Sequence, residues 1–312
     1  MAKTAGAVFP VTPKSALTVS LISIAYLIIS WLLLGFKSDQ LVLVLLYNLF
    51  FYATPISRKF IVGFSIFIVY WIIYDYMKAF PNYEYNTVHI AGLYNFEKSL
   101  FGIQAGNKIL TPNEYLWINN ITFLDIISGI FYLCWIPVPM AFAVYLFFVN
   151  RRQFLSFLLT FFIVNFLGFI VYYTYPAAPP WYVHFYGFNF VQTTPGNTAG
   201  LARFDQYFDV TVFKTIYAKG SNVFAAMPSL HSAYPLIVLY FGLKNKLGFI
   251  NLFFATVMVG IWFAAVYTSH HYVLDVTFGI ATAALGIALF EWAFSRISLL
   301  RNFLDRYEQT IK

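Results

Sequence analysis

The chain has 312 residues, of which 61 % are hydrophobic, 22 % aromatic and 10 % charged, and its mean hydropathy is +0.72. That apolar share excludes an ordinary soluble domain, and a single cysteine, Cys134, excludes an intrachain disulfide. The net charge of +7 comes from Lys and Arg scattered through short connections, without the dense basic run that a nucleic acid would need.

Apolar segments follow one another at about 16–36, 41–54, 60–78, 121–149, 154–175, 229–243, 250–269 and 272–294. Read as transmembrane helices, they predict an all-α, polytopic membrane helix bundle of about eight spans. A helix rises ~1.5 Å per residue and the hydrocarbon layer is ~30 Å thick, so 41–54 is the one short span, tilted or re-entrant. Pro137 and Pro139 remove backbone donors within 121–149 and predict a kink there rather than an end. In the loop 79–120, Ile90, Leu93, Phe96, Leu100 and Ile103 recur at helical spacing. They fit either a helix lying in the membrane interface or an amphipathic helix packed on the spans. The loop 176–228 is too aromatic for disorder and too Pro-rich for a span, and reads as an ordered cap. The expected division is N-terminal spans (1–78), interfacial loop (79–120), catalytic core with its cap (121–295) and a cytoplasmic basic tail (296–312).

With both termini cytoplasmic, Lys3, Lys14, Arg58, Lys59, Arg151, Arg152, Lys244, Lys246 and the basic residues after 295 gather on one side, as the positive-inside rule requires. All five histidines, His89, His184, His231, His270 and His271, then fall on the opposite side with the two long loops. The titratable chemistry is thereby expected at the extracytoplasmic end of the bundle.

His271 and Asp275 stand four residues apart at the start of the last span. On one helical face, Asp275 can accept a hydrogen bond from one ring nitrogen and leave the other basic, which prepares a nucleophile or general base. His270 lies ~100° round the helix and is assigned to lining the site. Pro228 and Ser229 precede His231 as a helix-start signal, and the unpaired N–H groups of a helix start favour an anion. Two helix N-termini, the histidines and the Ser229 hydroxyl predict a phosphate site, with one histidine as nucleophile and another as acid. A lone interfacial histidine is usually an anchor, and only the joint occurrence of the two spacings points to chemistry. His231, His271 and Asp275 also have the composition of a three-ligand metal set, although helix N-termini already supply the positive potential that a metal would bring.

The stretches "MPSLHSAYP" (227–235) and "HHYVLDV" (270–276) resemble the second and third signatures of the type-2 phosphatidic acid phosphatase superfamily. The similarity is closer to the inositol phosphorylceramide synthase branch, comprising fungal catalytic subunits and bacterial relatives, which also carries the loops found here as Ala178–Tyr182 and Pro195–Arg203. The resemblance covers about residues 75–285. It implies His271 as a nucleophile forming a phosphohistidine, Asp275 as its orienting carboxylate and His231 as general acid and base, with no metal or other cofactor. It also implies lipid substrates, with phosphatidylinositol as donor, ceramide as acceptor and diacylglycerol as product. The fungal branch works with an accessory subunit, a partner left open here. Ala264 and Ala265 stand where the phosphatases of the superfamily have Ser-Arg. That departure leaves Arg203, Lys214 and Lys219 as cations for phosphate, Arg203 first because a guanidinium fork suits phosphate oxygens. Trp181 and Tyr182 are assigned to substrate binding at head-group level.

The expectation is therefore a membrane phosphotransferase or, with water as acceptor, a lipid phosphate phosphatase. A transporter would place charge near the middle of the membrane, whereas Asp75, Asp125 and Asp275 all fall toward span ends. Short polar tails suit a bacterial cytoplasmic membrane, and the same sidedness would serve a Golgi membrane with a lumenal site.

Overall fold

A computed structural model describes residues 10–218, 220 and 222–312, so Lys3 and Lys219 lie outside the described residues. Thr12 opens α1 (Pro13–Leu34) by accepting from Ser15 N–H at 3.1 Å, and Pro13 fills the first helical position, where its missing donor costs nothing. After α2 (Ser38–Ala53), Thr54 and Pro55 repeat the same start for α3 (Pro55–Tyr76). The following loop holds α4 (Ala91–Phe101), a small hairpin of β1 (Ile103–Ala105) and β2 (Lys108–Leu110), and α5 (Pro112–Ile118). Next come α6 (Thr122–Leu133), α7 (Pro137–Val149) and α8 (Arg151–Thr174). The second long loop folds into α9 (Pro180–Tyr186), α10 (Ala202–Phe208) and α11 (Val212–Ala218), and the chain ends in α12 (Leu230–Lys244), α13 (Ile250–Tyr267), α14 (Val273–Arg296) and α15 (Ser298–Ile311).

Among the described residues six helical stretches are long and apolar enough to cross a membrane, α6 and α7 counting as one. Both α2, with 16 residues, and α12, with 15, are shorter. At ~1.5 Å per residue neither reaches ~30 Å, so two of the eight expected spans are short rather than one. The kink expected in 121–149 is a break. α6 stops at Leu133, Cys134 to Ile136 form a turn, and Pro137 starts a new helix, the position its missing N–H tolerates. Residues 296–312, expected as a tail, comprise the last residue of α14 and the amphipathic α15. That helix buries Leu304 and Ile311, donates from Tyr307 Oη to Val62 O at 2.7 Å and pairs Asp305 and Glu308 with Arg152.

The core centres on α8, which is buried against α3, α7, α12 and α14 except for an exposed stripe of Phe166, Ile170 and Thr174. Inside it, Tyr234 Oη donates to Asn165 Oδ1 at 2.6 Å and meets Tyr70 Oη at 3.2 Å. Gly279 lets α14 approach the start of α12 so closely that a Cβ there would lie 2.2 Å from Ser229 O.

The two long loops are laced together over one end of the bundle. His89 N–H donates to Pro176 O at 2.8 Å, Ala178 N–H to His89 O at 3.1 Å and Ala177 N–H to Phe224 O at 2.9 Å. The buried Asn82 amide donates to both Tyr172 O and Phe224 O. Of the apolar stripe expected on α4, Ile90 and Leu93 are buried and Phe96 and Leu100 are exposed. Its packed face includes Glu97 instead, in keeping with the packed-helix alternative.

Candidate active site

The site grows from two helix starts held against each other. Ser229 caps α12, its Oγ accepting from Ser232 Oγ at 3.0 Å and its carbonyl from Ala233 N–H. Ser229 N–H in turn donates to Asp275 O in the first turn of α14, at 2.9 Å. His231 is therefore the second residue of α12, fixed relative to α14 by main chain.

His271 is not on a helix. α13 ends at Tyr267, Ser269 turns the chain at φ 60°, and the N–H groups of His270 and His271 both reach Ala265 O, at 3.1 and 3.0 Å. The turn presents the His271 ring so that Nε2 lies 3.1 Å from His231 Nδ1 and Nδ1 lies 3.0 Å from Ala226 O. A carbonyl can only accept, so the network assigns the His271 proton to Nδ1 and leaves Nε2 with a bare lone pair, facing the proton on His231 Nδ1. Burial holds His271 down to about 4, which keeps the ring neutral and Nε2 nucleophilic at neutral pH.

The expected His271–Asp275 hydrogen bond is replaced. Asp275 Oδ2 stands 3.6 Å from His271 Nδ1 and accepts instead from Tyr272 N–H at 2.8 Å, while Oδ1 is buried without a partner among the described residues. Because α14 begins at Val273, the helical spacing assumed for residues 271 and 275 does not apply. The start of α14 is not an open anion site either. Glu97 Oε1 and Oε2 accept from Val273 and Leu274 N–H at 2.9 and 3.0 Å, so a carboxylate already occupies it.

His270 is packed rather than presented. Its Nε2 donates to Thr198 O at 3.0 Å, and its ring stacks on Tyr217 at 4.5 Å and on Tyr132 at 5.4 Å. Trp181 and Tyr182 are also buried. Trp181 N–H binds Ser269 O at 3.0 Å, and Tyr182 Oη is used twice, donating to Asn189 O and accepting from Val191 N–H. The expected head-group aromatics are instead the core of the cap, because the loops fold over them. Arg203 Nε donates to Asp125 Oδ1 at 2.6 Å, and its guanidinium lies over Trp117 and Tyr267. Arg203 Nη2 is buried with no acceptor among the described residues. Lys214 is exposed. A polar cleft of about 590 Å³ beside Thr198 and Tyr217 includes Lys78, Lys214 and Asn222 in its lining. On the other flank, Trp135 meets the His231 ring edge-on at 4.4 Å and opens an apolar crevice between α7, α12 and α13. No group of three or more His, Cys, Asp or Glu residues suited to a metal ion occurs among the described residues.

Two residues that the sequence reading passed over hold the His271 turn. Asn113 Nδ2 donates to Val266 O and to His271 O, both at 2.8 Å, and Glu97 is fully buried at the start of α14. The available signal was a carboxylate within the apolar stripe of α4, four residues after Leu93.

A sequence profile described as the PAP2 superfamily matches residues 108–289. The phosphoinositol dihydroceramide synthase of Bacteroides thetaiotaomicron is 44 % identical over 96 % of this chain and 99 % of its own length. The inositol phosphorylceramide synthase of Candida albicans is 31 % identical over 41 % of this chain and 27 % of its own. The corresponding catalytic subunit of Saccharomyces cerevisiae is 32 % identical, over 41 % and 31 %. No solved structure matches the chain.

Proposed function

The chain belongs to the PAP2 superfamily, and from that premise we propose that it transfers phosphoinositol from a phosphatidylinositol-type lipid to the primary hydroxyl of a ceramide. The observation that carries the reading is the histidine pair, with a bare His271 Nε2 opposite His231 Nδ1–H at 3.1 Å. It is supported by the names of the relatives, above all one that spans nearly the whole chain.

In the first step the substrate phosphorus comes between the two rings. His271 Nε2 forms a bond to phosphorus as the P–O bond to diacylglycerol breaks, and His231, entering the step as the imidazolium that the bound phosphate's negative charge stabilises, gives one proton to the departing oxygen and is left neutral. In the second step His231 takes the proton of the ceramide hydroxyl, whose oxygen bonds phosphorus as the N–P bond breaks. Ala226 O holds the His271 Nδ1 proton throughout, and the Asp275 carboxylate, 3.6 Å away, opposes the positive charge that builds on the ring. Arg203 is the cation for phosphate, since its Nε is anchored on Asp125 while Nη2 has no acceptor among the described residues. Ser229 and His270 hold the two histidine-bearing segments from behind, and Trp181 and Tyr182 keep the cap closed against water. Sidedness by Lys and Arg puts this end of the bundle on the extracytoplasmic face.

The test is turnover by purified protein in liposomes with fluorescent ceramide and phosphatidylinositol, with and without EDTA. The expected result is an inositol phosphoceramide and an equal amount of diacylglycerol, unaffected by EDTA. Release of free inositol phosphate or inorganic phosphate without a new sphingolipid would replace transfer by hydrolysis.

A further inference from the structure

The loop 79–120 contributes nothing to the histidine pair itself, yet it supplies the two buried polar side chains that grip the turn carrying His271. We infer that Glu97 is a positioning residue of the transfer reaction, setting the His271 ring through the start of α14, with Asn113 as the second grip on the same turn. The inference rests on His271 as the nucleophile and adds to it a group that lies outside the matched stretch 108–289.

A helix start leaves its first N–H groups without intrahelical acceptors. In α14 the N-cap residue is Tyr272, which provides no side-chain hydrogen bond, so the vacancy must be filled from elsewhere. Glu97 fills it from 176 residues upstream, one oxygen to Val273 N–H and the other to Leu274 N–H. Asp275 Oδ2 takes Tyr272 N–H, so three successive donors next to His271 are held by two carboxylates. From the other side Asn113 ties the His271 carbonyl to the last turn of α13. His271 is thereby fixed at its own N–H by Ala265, at its carbonyl by Asn113 and two residues downstream by Glu97. The ring has little freedom left, and a displacement of ~1 Å at a reacting atom can cost on the order of 100-fold in rate.

Chemistry also explains why the residue is an acid. A glutamine would turn its NH2 donor toward one of the two N–H groups, whereas a carboxylate gives each its own acceptor oxygen. Burial, opposed by these two hydrogen bonds, together with the neighbouring Asp275 charge, raises the Glu97 carboxyl to about 7. Tyr272 lies between Glu97, Asp275, Tyr94 and Glu114, and Tyr94 Oη donates to Glu114 on α5 and accepts from Lys98 on α4. A rate limb that rises through about pH 7, as Glu97 loses its proton and can accept both N–H groups, is the expected signature, well above His271 at about 4.

The experiment measures the pH dependence of kcat and KM in liposomes for the wild type, Glu97→Gln, Glu97→Asp and His271→Ala, with thermal melting of each in detergent. Expected for Glu97→Gln is a kcat lower by on the order of 10- to 100-fold, an almost unchanged KM for both lipids and loss of the limb near pH 7. Glu97→Asp, which keeps the charge, should retain the limb and recover part of the rate. A Glu97→Gln enzyme with wild-type kcat and pH profile overturns the inference. So does one that only melts earlier, with its profile unmoved, because that makes Glu97 a stability residue. If Glu97→Gln does not fold, the Glu97→Asp profile decides, and a limb at the wild-type position with full kcat overturns the inference. An active His271→Ala would instead bring down the reading of His271 on which it rests, whatever Glu97 does.

Discussion

His271 illustrates how a single carbonyl decides chemistry. Ala226 O fixes which ring nitrogen carries the proton, and burial keeps the ring neutral. His271→Ala should therefore abolish lipid product, while His184→Ala, an exposed ring tilted against Trp117, should leave turnover near wild type. Assays of the two variants side by side check both. The same burial has a pH consequence for stability. His271 titrates in the fold at about 4, below the ordinary 6.5, so its contribution is complete above 6.5 and is lost as pH falls toward 4. Glu97 runs the other way, with a folded value of about 7 against 4.5, so its contribution is complete below 4.5 and fades as pH rises through 7. Melting curves of His271→Ala should show a shallower acid limb than the wild type, and those of Glu97→Gln a flatter neutral limb. That His231 and His271 come together was legible in the sequence, because costly residues at the ends of apolar runs are kept for a use. The Ala226 contact was not, since a backbone carbonyl leaves no mark in composition.

At the scale of the element, the catalytic geometry depends on how closely two helices meet. Gly279 faces Ser229 O, and a methyl there would stand 2.2 Å from it, within the N-cap of the helix that carries His231. Gly279→Ala should push α14 from α12, widen the 3.1 Å histidine contact and lower kcat far more than it lowers expression. Gly92→Ala, at an exposed position of α4, serves as the control for a glycine whose Cβ would meet nothing and whose φ is not positive. Helix positions were readable from hydropathy and from Thr-Pro and Pro-Ser start signals, which are local. The hydrogen bond expected between Asp275 and His271 is replaced for a local reason too. Helical spacing was extended back to residue 271, whereas the chain turns at Ser269 and the helix starts two residues after the histidine. Trp181 and Tyr182 went astray for a non-local reason. Whether an aromatic sits at head-group level or under a cap depends on what folds over it, and a loop's own sequence does not show its cover.

Over the whole molecule, charge and chemistry separate to opposite ends of the bundle. The end with Arg151, Arg152, Lys244 and Lys246 also carries α15, which braces α3 and α8, while the histidines, both long loops and Glu97 occupy the other end. Neither fact depends on the other, because the brace is a packing feature and the histidine pair a chemical one. If Lys and Arg set the insertion, the histidines must face away from the cytoplasm. Lipid donor and acceptor would then meet in the outer leaflet, and diacylglycerol would be released there. The claim is open to a labelling experiment. In a Cys134→Ala background, Asn119→Cys marks the exposed connection between α5 and α6 at the histidine end, and Lys246→Cys marks the one between α12 and α13 at the basic end. A membrane-impermeant maleimide applied to intact cells should label Asn119→Cys at once and Lys246→Cys only after lysis. The reverse pattern would put the reaction on the cytoplasmic leaflet while leaving the histidine chemistry intact, since sidedness is set by the loops and the mechanism by a 3.1 Å contact that is the same in either orientation.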